Sequence, residues 1–234
     1  MALSNTSEIE TSAPQHLRGK YAICGIGETT YRRGSDQSTR SLASWAVGNA
    51  IADAGMTAAD VDGMLSYSNN DSTFAPHVAT DLGMRLNFYT DIYGGGSSTE
   101  CLIGIAIGVI EAGMCNTIAI YRAMNGYSQV RIGGTGARSA APIVGDQIHH
   151  RAYGWQSAGQ LFAPTFMRHM YDYGTKPEQV AAVKVAHSKH ASNNPKAFYK
   201  RRYSVDDVIN SRMICKPLHL LDCCVETDNS TCII

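Results

Sequence analysis

Tyr93-Gly94-Gly95-Gly96-Ser97-Ser98-Thr99 places three glycines and two serines shortly before an apolar run, residues 101–112. Glycines let a backbone approach a ligand closely and reach positive φ. The amides of Gly96, Ser97 and Ser98 would open a helix and offer N–H groups to a developing oxyanion, such as a thioester or enolate oxygen. The alternative is that the glycines only let two layers or two protomers pack closely. Ser97 and Ser98 have no His or Asp beside them in sequence to activate either hydroxyl. The nearest thiol, Cys101, lies inside the apolar run and reads as a core cysteine.

Other reactive side chains are dispersed. His149-His150 with Asp146 raises the question of a metal, but two adjacent histidines cannot easily face one ion and no third ligand is evident, so no metal site is expected. His187 and His190 share a helical face. Lys196, Lys200, Arg201 and Arg202 form a basic cluster after Pro195, either a solvated face or a contact for phosphates. Tyr127, Tyr153 and Tyr173 are possible proton donors that the sequence does not rank. Gly25-Ile26-Gly27 lacks the third glycine of a dinucleotide fingerprint, which disfavours nicotinamide binding.

The elements that must position these groups alternate. Residues 21–27 read as a buried strand ending in a tight glycine turn, 41–54 as a helix closed by Gly55, 61–67 as a strand and 73–82 as a helix closed by Gly83. Residues 87–93 read as a strand. Residues 99–112 read as a helix apolar on every side, hence buried on every side, and 116–121 as a strand. That order predicts an α/β fold with a mostly parallel sheet covered on both faces. The pattern breaks over 122–151, read as a functional or interface loop. Helices resume at 154–173, at 176–192 with Thr175 as its cap, and at 204–210 behind Ser204. Residues 223–234 read as a strand pair or as a strand after a turn at Asp228-Asn229, either closing the sheet or, as we expect, entering a second domain beyond Ile234.

Two blocks resemble a known family. Ile23-Cys24-Gly25-Ile26-Gly27-Glu28-Thr29-Thr30-Tyr31 resembles the opening of thiolases. His187-Ser188-Lys189-His190-Ala191-Ser192-Asn193-Asn194-Pro195, then residues 203–208, then Leu221-Asp222-Cys223-Cys224 with Thr227-Asp228, resemble the sterol-carrier-protein type of thiolase. The resemblance implies a thiolase-like α/β fold, five-layered α-β-α-β-α in the complete family. This chain would supply a disordered lead (1–18), the first core half (19–121), a helical loop insertion (122–220) and the start of the second half (221–234). It also implies that the nucleophilic cysteine of thiolases is replaced by Gly96. That substitution resembles the cysteine-less, lipid-transfer-protein-type retro-aldolases, which cleave a β-hydroxyacyl-CoA side chain, as in steroid degradation. A retro-aldol step needs a base and enolate stabilisation but no acyl-enzyme.

By the same resemblance the glycine turn (Gly94, Gly95, Gly96, Ser97, Ser98) would be the acyl pocket, and His187, His190, Lys196 and Arg201 would contact coenzyme A. A coenzyme A thioester would be the substrate, with no covalently bound cofactor. The acid/base residues would lie downstream of Ile234. A homodimer paired through residues 87–92 and a small partner with an OB-fold and a zinc ribbon would complete the assembly. An acyltransferase using Cys101 and a non-catalytic acyl-CoA- or lipid-binding subunit remain as alternatives.

Composition bounds these readings. Lys+Arg and Asp+Glu are equal at 20 each, so net charge gives no pull toward nucleic acid or anionic membrane. Hydrophobic residues at 44% and charged residues at 17% fit a globular protein that buries surface against a partner. No stretch approaches the ~20 apolar residues of a membrane span. Seven cysteines without a C-x-x-C pair read as reduced thiols, predicting a cytoplasmic setting.

Overall fold

The computed structural model describes residues 15–69, 71–129, 145, 147–155 and 157–234. A five-stranded sheet joins the first part of the chain to its last strand in the order β1-β7-β4-β2-β3. Here β1 is Ile26–Glu28, β2 Gly63–Ser68, β3 Phe88–Tyr93, β4 Ile118–Asn125 and β7 Asp228–Ile233. β2 pairs in parallel with β3 and β4, and β7 pairs antiparallel with β1 and β4. Four strands therefore share one direction, and the carboxyl ends of β1, β4, β2 and β3 lie along one rim.

The placement of β7 corrects the expectation that residues 221–234 begin a second half. The strand lies inside this sheet, registered with both neighbours, Cys232 against Gly27 on one side and Tyr121 on the other. The expected turn at Asp228-Asn229 is also strand. Its reason is Asp228, fully buried, whose carboxylate accepts from the amides of Ser35 (2.9 Å), Tyr127 (3.0 Å) and Ser128 (3.0 Å) and from the Ser128 hydroxyl. Burial pushes this carboxyl up, but the four donors together outweigh it and hold it below the ordinary aspartate value.

Helices α1 (Thr39–Asp53) and α2 (Ala75–Asp81) cover one face of the sheet. α1 starts where Ser38 accepts from the Ser41 amide, and it buries Leu42, Ala43, Ala46, Val47, Ala50 and Ile51. Gly25 and Gly27 were expected to make a turn. They instead let the α1 backbone lie on the strand: a Cβ on Gly27 would sit 2.0 Å from the Ala46 carbonyl oxygen, and one on Gly25 2.3 Å from that of Ala50. α2 begins at Ala75 rather than residue 73. The Asp91 carboxylate on β3 accepts from the Ala75 amide at 3.0 Å, and Pro76 stands in the first turn.

Helix α3 (Ser98–Glu111) covers the other face, and only in part. It buries Ser98, Leu102, Ala106 and Val109 against Leu65, Cys115 and Ile118. Its outer side, with Cys101, Ile103, Gly104 and Gly108, is exposed, which corrects the expectation of a helix buried all round. Beside it, Ile103, Ile107, Ile110, Ile118, Ile120 and Ile233 line an apolar groove of about 320 Å³.

β4 runs to Asn125, four residues past the expected boundary at 121. After it come α4 (Gln147–Ala152), α5 (Ala158–Tyr173), α6 (Pro177–Asn193), α7 (Val205–Ile209) and a hairpin of β5 (Met213–Cys215) and β6 (Leu218–His219). α6 starts at Pro177 behind Lys176 rather than Thr175, with the Lys176 amide donating to Gln179 Oε1 at 2.7 Å. α7 keeps the expected Ser204 cap, which accepts from the Asp207 amide at 3.1 Å.

Candidate functional site

The rim formed by the carboxyl ends of the parallel strands carries both groups of residues singled out in the sequence. In open α/β sheets ligands settle outside these ends, where loops and helix N-termini present free amides. At the β3 end, Tyr93 passes directly into Gly94-Gly95-Gly96 and then α3. The Gly94 amide donates to the Ser68 carbonyl at 3.2 Å, tying the turn to the end of β2. The Ser98 amide donates to Gly95 O at 3.0 Å, so it is already used, contrary to expectation. The amides of Gly95, Gly96 and Ser97 have no backbone acceptor among the described residues.

The three glycines differ in what they allow. Gly94 is held against Ser98: a Cβ there would lie 2.1 Å from Ser98 Oγ. At Gly95 and Gly96 an added Cβ would meet nothing within 4 Å. None of the three has positive φ, so the left-handed backbone that glycine permits is not used in this turn. Gly96 thus faces open space at a helix N-terminus, and no thiol stands on the turn. Cys101 is exposed on the outer side of α3 and is not the core thiol expected.

At the β1 end lies a cavity of about 470 Å³, lined by Glu28 and Tyr31 from the β1 side and by α6 and the segment after it. Of the four residues expected to contact coenzyme A, His187, Lys196 and Arg201 line this cavity and His190 does not. Lys184, one turn before His187 on α6, adds a fourth basic group that the sequence reading missed. Tyr31, Phe198, Tyr199 and Tyr203 supply ring faces. The Phe198 and Tyr199 rings meet edge-on at 4.8 Å, and Tyr203 lies under Arg201 (4.9 Å) and Lys184 (5.3 Å). Spacing gave no sign of this arrangement, because it joins the chain's first strand to residues about 170 positions later.

Lys196 pairs with Glu28, and Tyr31 Oη donates to Glu28 Oε2 at 3.0 Å. The Lys196 bond is the main reason that the Glu28 carboxyl falls below the ordinary glutamate value; burial opposes it. Arg201 pairs with Asp207 at 3.2 Å, and Arg202 is turned away to Ser192 Oγ at 2.8 Å. The cavity and the glycine turn stand at opposite edges of the sheet. Four strand spacings of ~4.8 Å separate them, roughly 19 Å.

His149 and His150 lie on α4, where the His150 ring approaches Trp155 at 5.3 Å. Asp146 lies outside the described residues, among which no cluster of three or more metal-binding side chains occurs. Tyr153 and Tyr173 are exposed, and Arg33 lies over the Tyr127 ring at 4.8 Å. No helix among the described residues is long and apolar enough to cross a membrane.

No protein-family model matches this chain. It is 37% identical over 231 residues to a steroid side-chain-cleaving aldolase of Thermomonospora curvata, covering 93% of this chain and 57% of that protein. It is 35% identical over 223 residues to the 17-hydroxy-3-oxo-4-pregnene-20-carboxyl-CoA lyase of Mycobacterium tuberculosis, covering 93% and 58%. Among solved structures, the Ltp2-ChsH2(DUF35) aldolase superposes with a TM-score of 0.80 at 34% identity, over 91% of this chain and 54% of that one. A monomeric SCP2-thiolase-like protein of Mycobacterium smegmatis shares the fold at a TM-score of 0.68 and 19% identity. The chain spans little more than half the length of the curated relatives it matches.

Proposed function

The chain is a homologue of the thiolase-like steroid side-chain-cleaving aldolases, and from that premise we propose that the protein containing it cleaves a β-hydroxyacyl-CoA by a retro-aldol reaction. The observation that carries this reading is the turn at the β3 end. Its place at the head of α3 is occupied by Gly96, with open space in front and no nucleophile on the turn. In the proposed reaction a base removes the β-hydroxyl proton, the Cα–Cβ bond breaks to give a ketone or aldehyde, and the pair of electrons forms the enolate of the shortened acyl-CoA. The Gly95, Gly96 and Ser97 amides stabilise that enolate oxygen, and a proton returns to Cα.

The cavity at the β1 end is where the nucleotide end of coenzyme A binds. Lys184, Lys196, Arg201 and His187 face the phosphates, and the Phe198, Tyr199 and Tyr203 rings offer stacking faces for the adenine. The acyl end then reaches along the rim to the glycine turn. No covalently held cofactor is needed. The acid/base groups are assigned to sequence beyond this chain. Two further parts of the proposal concern assembly: a homodimer through β3, which is an edge strand of the sheet, and a small OB-fold and zinc-ribbon partner. A cytoplasmic setting belongs to the same reading.

Full-length protein with its partner, supplied with a β-hydroxyacyl-CoA, tests the chemistry through two variants. Gly96→Val has room for its side chain and no φ to strain, so it should fold normally and lose turnover at least tenfold by filling the space before the turn. Cys101→Ala should leave turnover within about twofold. The exposed thiol gives an acyltransferase reading one foothold. If Cys101→Ala abolishes turnover and Gly96→Val does not, the acyltransferase reading replaces ours.

A further inference from the structure

Between the two ends of the rim, an ion pair spans β4 and the loop after β2. Arg122 Nη2 donates to Asp71 Oδ2 at 2.6 Å, and the two side chains are 14% and 3% exposed. The guanidinium lies over the Tyr67 ring at 4.7 Å and donates through Nη1 to the Ala123 carbonyl at 2.8 Å. Its buried Nε has no partner among the described residues. Such a pair is a poor device for stability, because desolvating two charges and leaving a donor unmet offsets most of the attraction, and apolar residues of similar size would do as well.

The other bonds of Asp71 lead to the glycine turn. Asp71 Oδ1 accepts from the Asn69 amide at 2.9 Å, and the Asp71 amide donates to Ser68 Oγ at 3.2 Å. This fixes Ser68, whose carbonyl in turn accepts from the Gly94 amide. Gly94 then packs directly on Ser98, the first residue of α3. A continuous chain of contacts therefore runs from Arg122 to Asp71, Ser68, Gly94 and Ser98.

We propose that Arg122 and Asp71 are positioning residues that hold the Gly94–Ser98 turn in register, acting through the Ser68 carbonyl. The catalytic part of this proposal rests on the retro-aldolase reading above; the structural part does not.

The test uses the full-length protein with three variants: Asp71→Asn, Arg122→Lys, and the paired replacement Asp71→Leu with Arg122→Met, which removes both charges while keeping apolar volume. Two readouts are taken. Amide hydrogen exchange at Gly94 should speed up at least tenfold in Asp71→Asn and in the paired variant, with exchange at Val47 and Ala50 in α1 unchanged. In turnover, the paired variant should lose about tenfold or more in kcat with KM within twofold, since a displaced turn misplaces donors without removing binding contacts. Arg122→Lys, which keeps a cation opposite Asp71, should recover most of kcat. A folded paired variant with native exchange at Gly94 and native kcat overturns the proposal. If that variant does not fold, Asp71→Asn carries both readouts and the same criterion. Faster Gly94 exchange in a protein whose unsubstituted form cleaves no β-hydroxyacyl-CoA would support the strut and sink the retro-aldolase reading.

Discussion

The two faces of the sheet are closed to different degrees. On the α1 side, small residues let helix and strand backbones touch: Ala46 and Ala50 lie on Gly25 and Gly27, and the cluster from Ala43 to Ile234 is shut from solvent. On the α3 side the helix covers β2 and its neighbours but leaves its own outer side and the Ile120–Ile233 strip open. The first face is complete by itself. The second presents an apolar surface larger than isolated exposed residues would give, the kind of surface that proteins reserve for another body. The candidate turn belongs to the second face, so the open side of the sheet is also the chemical side.

Substitutions break this comparison in order of severity. Gly27→Val should be the most damaging, because its side chain would meet the α1 backbone, not a movable side chain. We expect a loss of at least ~4 kcal/mol in urea unfolding, the range of severe overpacking. Leu102→Ala, on the covered side of α3, should cost about 3 kcal/mol by the same measurement, as a buried leucine replaced by a cavity.

Asp228→Asn should cost about 2 kcal/mol at pH 7, because a carboxylate that accepts from four donors is replaced by an amide that cannot accept from all of them. The pH dependence has a definite sign. The folded carboxyl lies below its ordinary value. Its stabilisation is therefore fully present above about pH 4, the unfolded aspartate value, and is lost as pH falls through the folded value. Unfolding free energy measured from pH 7 to pH 2 should fall less steeply in Asp228→Asn than in the native protein. The smallest effect is Gly104→Asp, on the open side of α3. Burial on all sides would make it severe. With the site exposed and no atom within 4 Å of an added Cβ, it should change this chain's stability by no more than about 0.5 kcal/mol. If Gly104→Asp destabilises this chain as much as Leu102→Ala, the difference between the faces is not real.

Much of the architecture was legible because it depends on local signals. The Ser204 cap and the helix-closing glycines Gly55 and Gly83, both with positive φ, were read correctly because capping and turn chemistry act within a few residues. The alternation of strands and helices followed from periodicity. The candidate site was legible in fragments: the glycine turn from composition, and His187, Lys196 and Arg201 through family resemblance. Glu28, Tyr31 and Lys184 were missed because they meet the others only through packing of α6 beside β1. The conformation of Gly96 was not legible at all, because three consecutive glycines permit positive φ without requiring it.

By itself the sequence determined that α3 would be a helix, that its head would carry no thiol on the turn, and that strands would run mainly parallel. These follow from short-range sterics and from hydrophobic period, which any neighbourhood of the chain preserves. Only the tertiary structure decided that β7 closes the sheet between β1 and β4, that Gly25 and Gly27 serve helix contact in place of a turn, and that α3 is open on one side. Those outcomes depend on which distant surfaces meet: strand pairing over about 200 residues is set by the buried hydrogen bonds of Asp228 and the fit of Gly27 to Ala46, which no local pattern records.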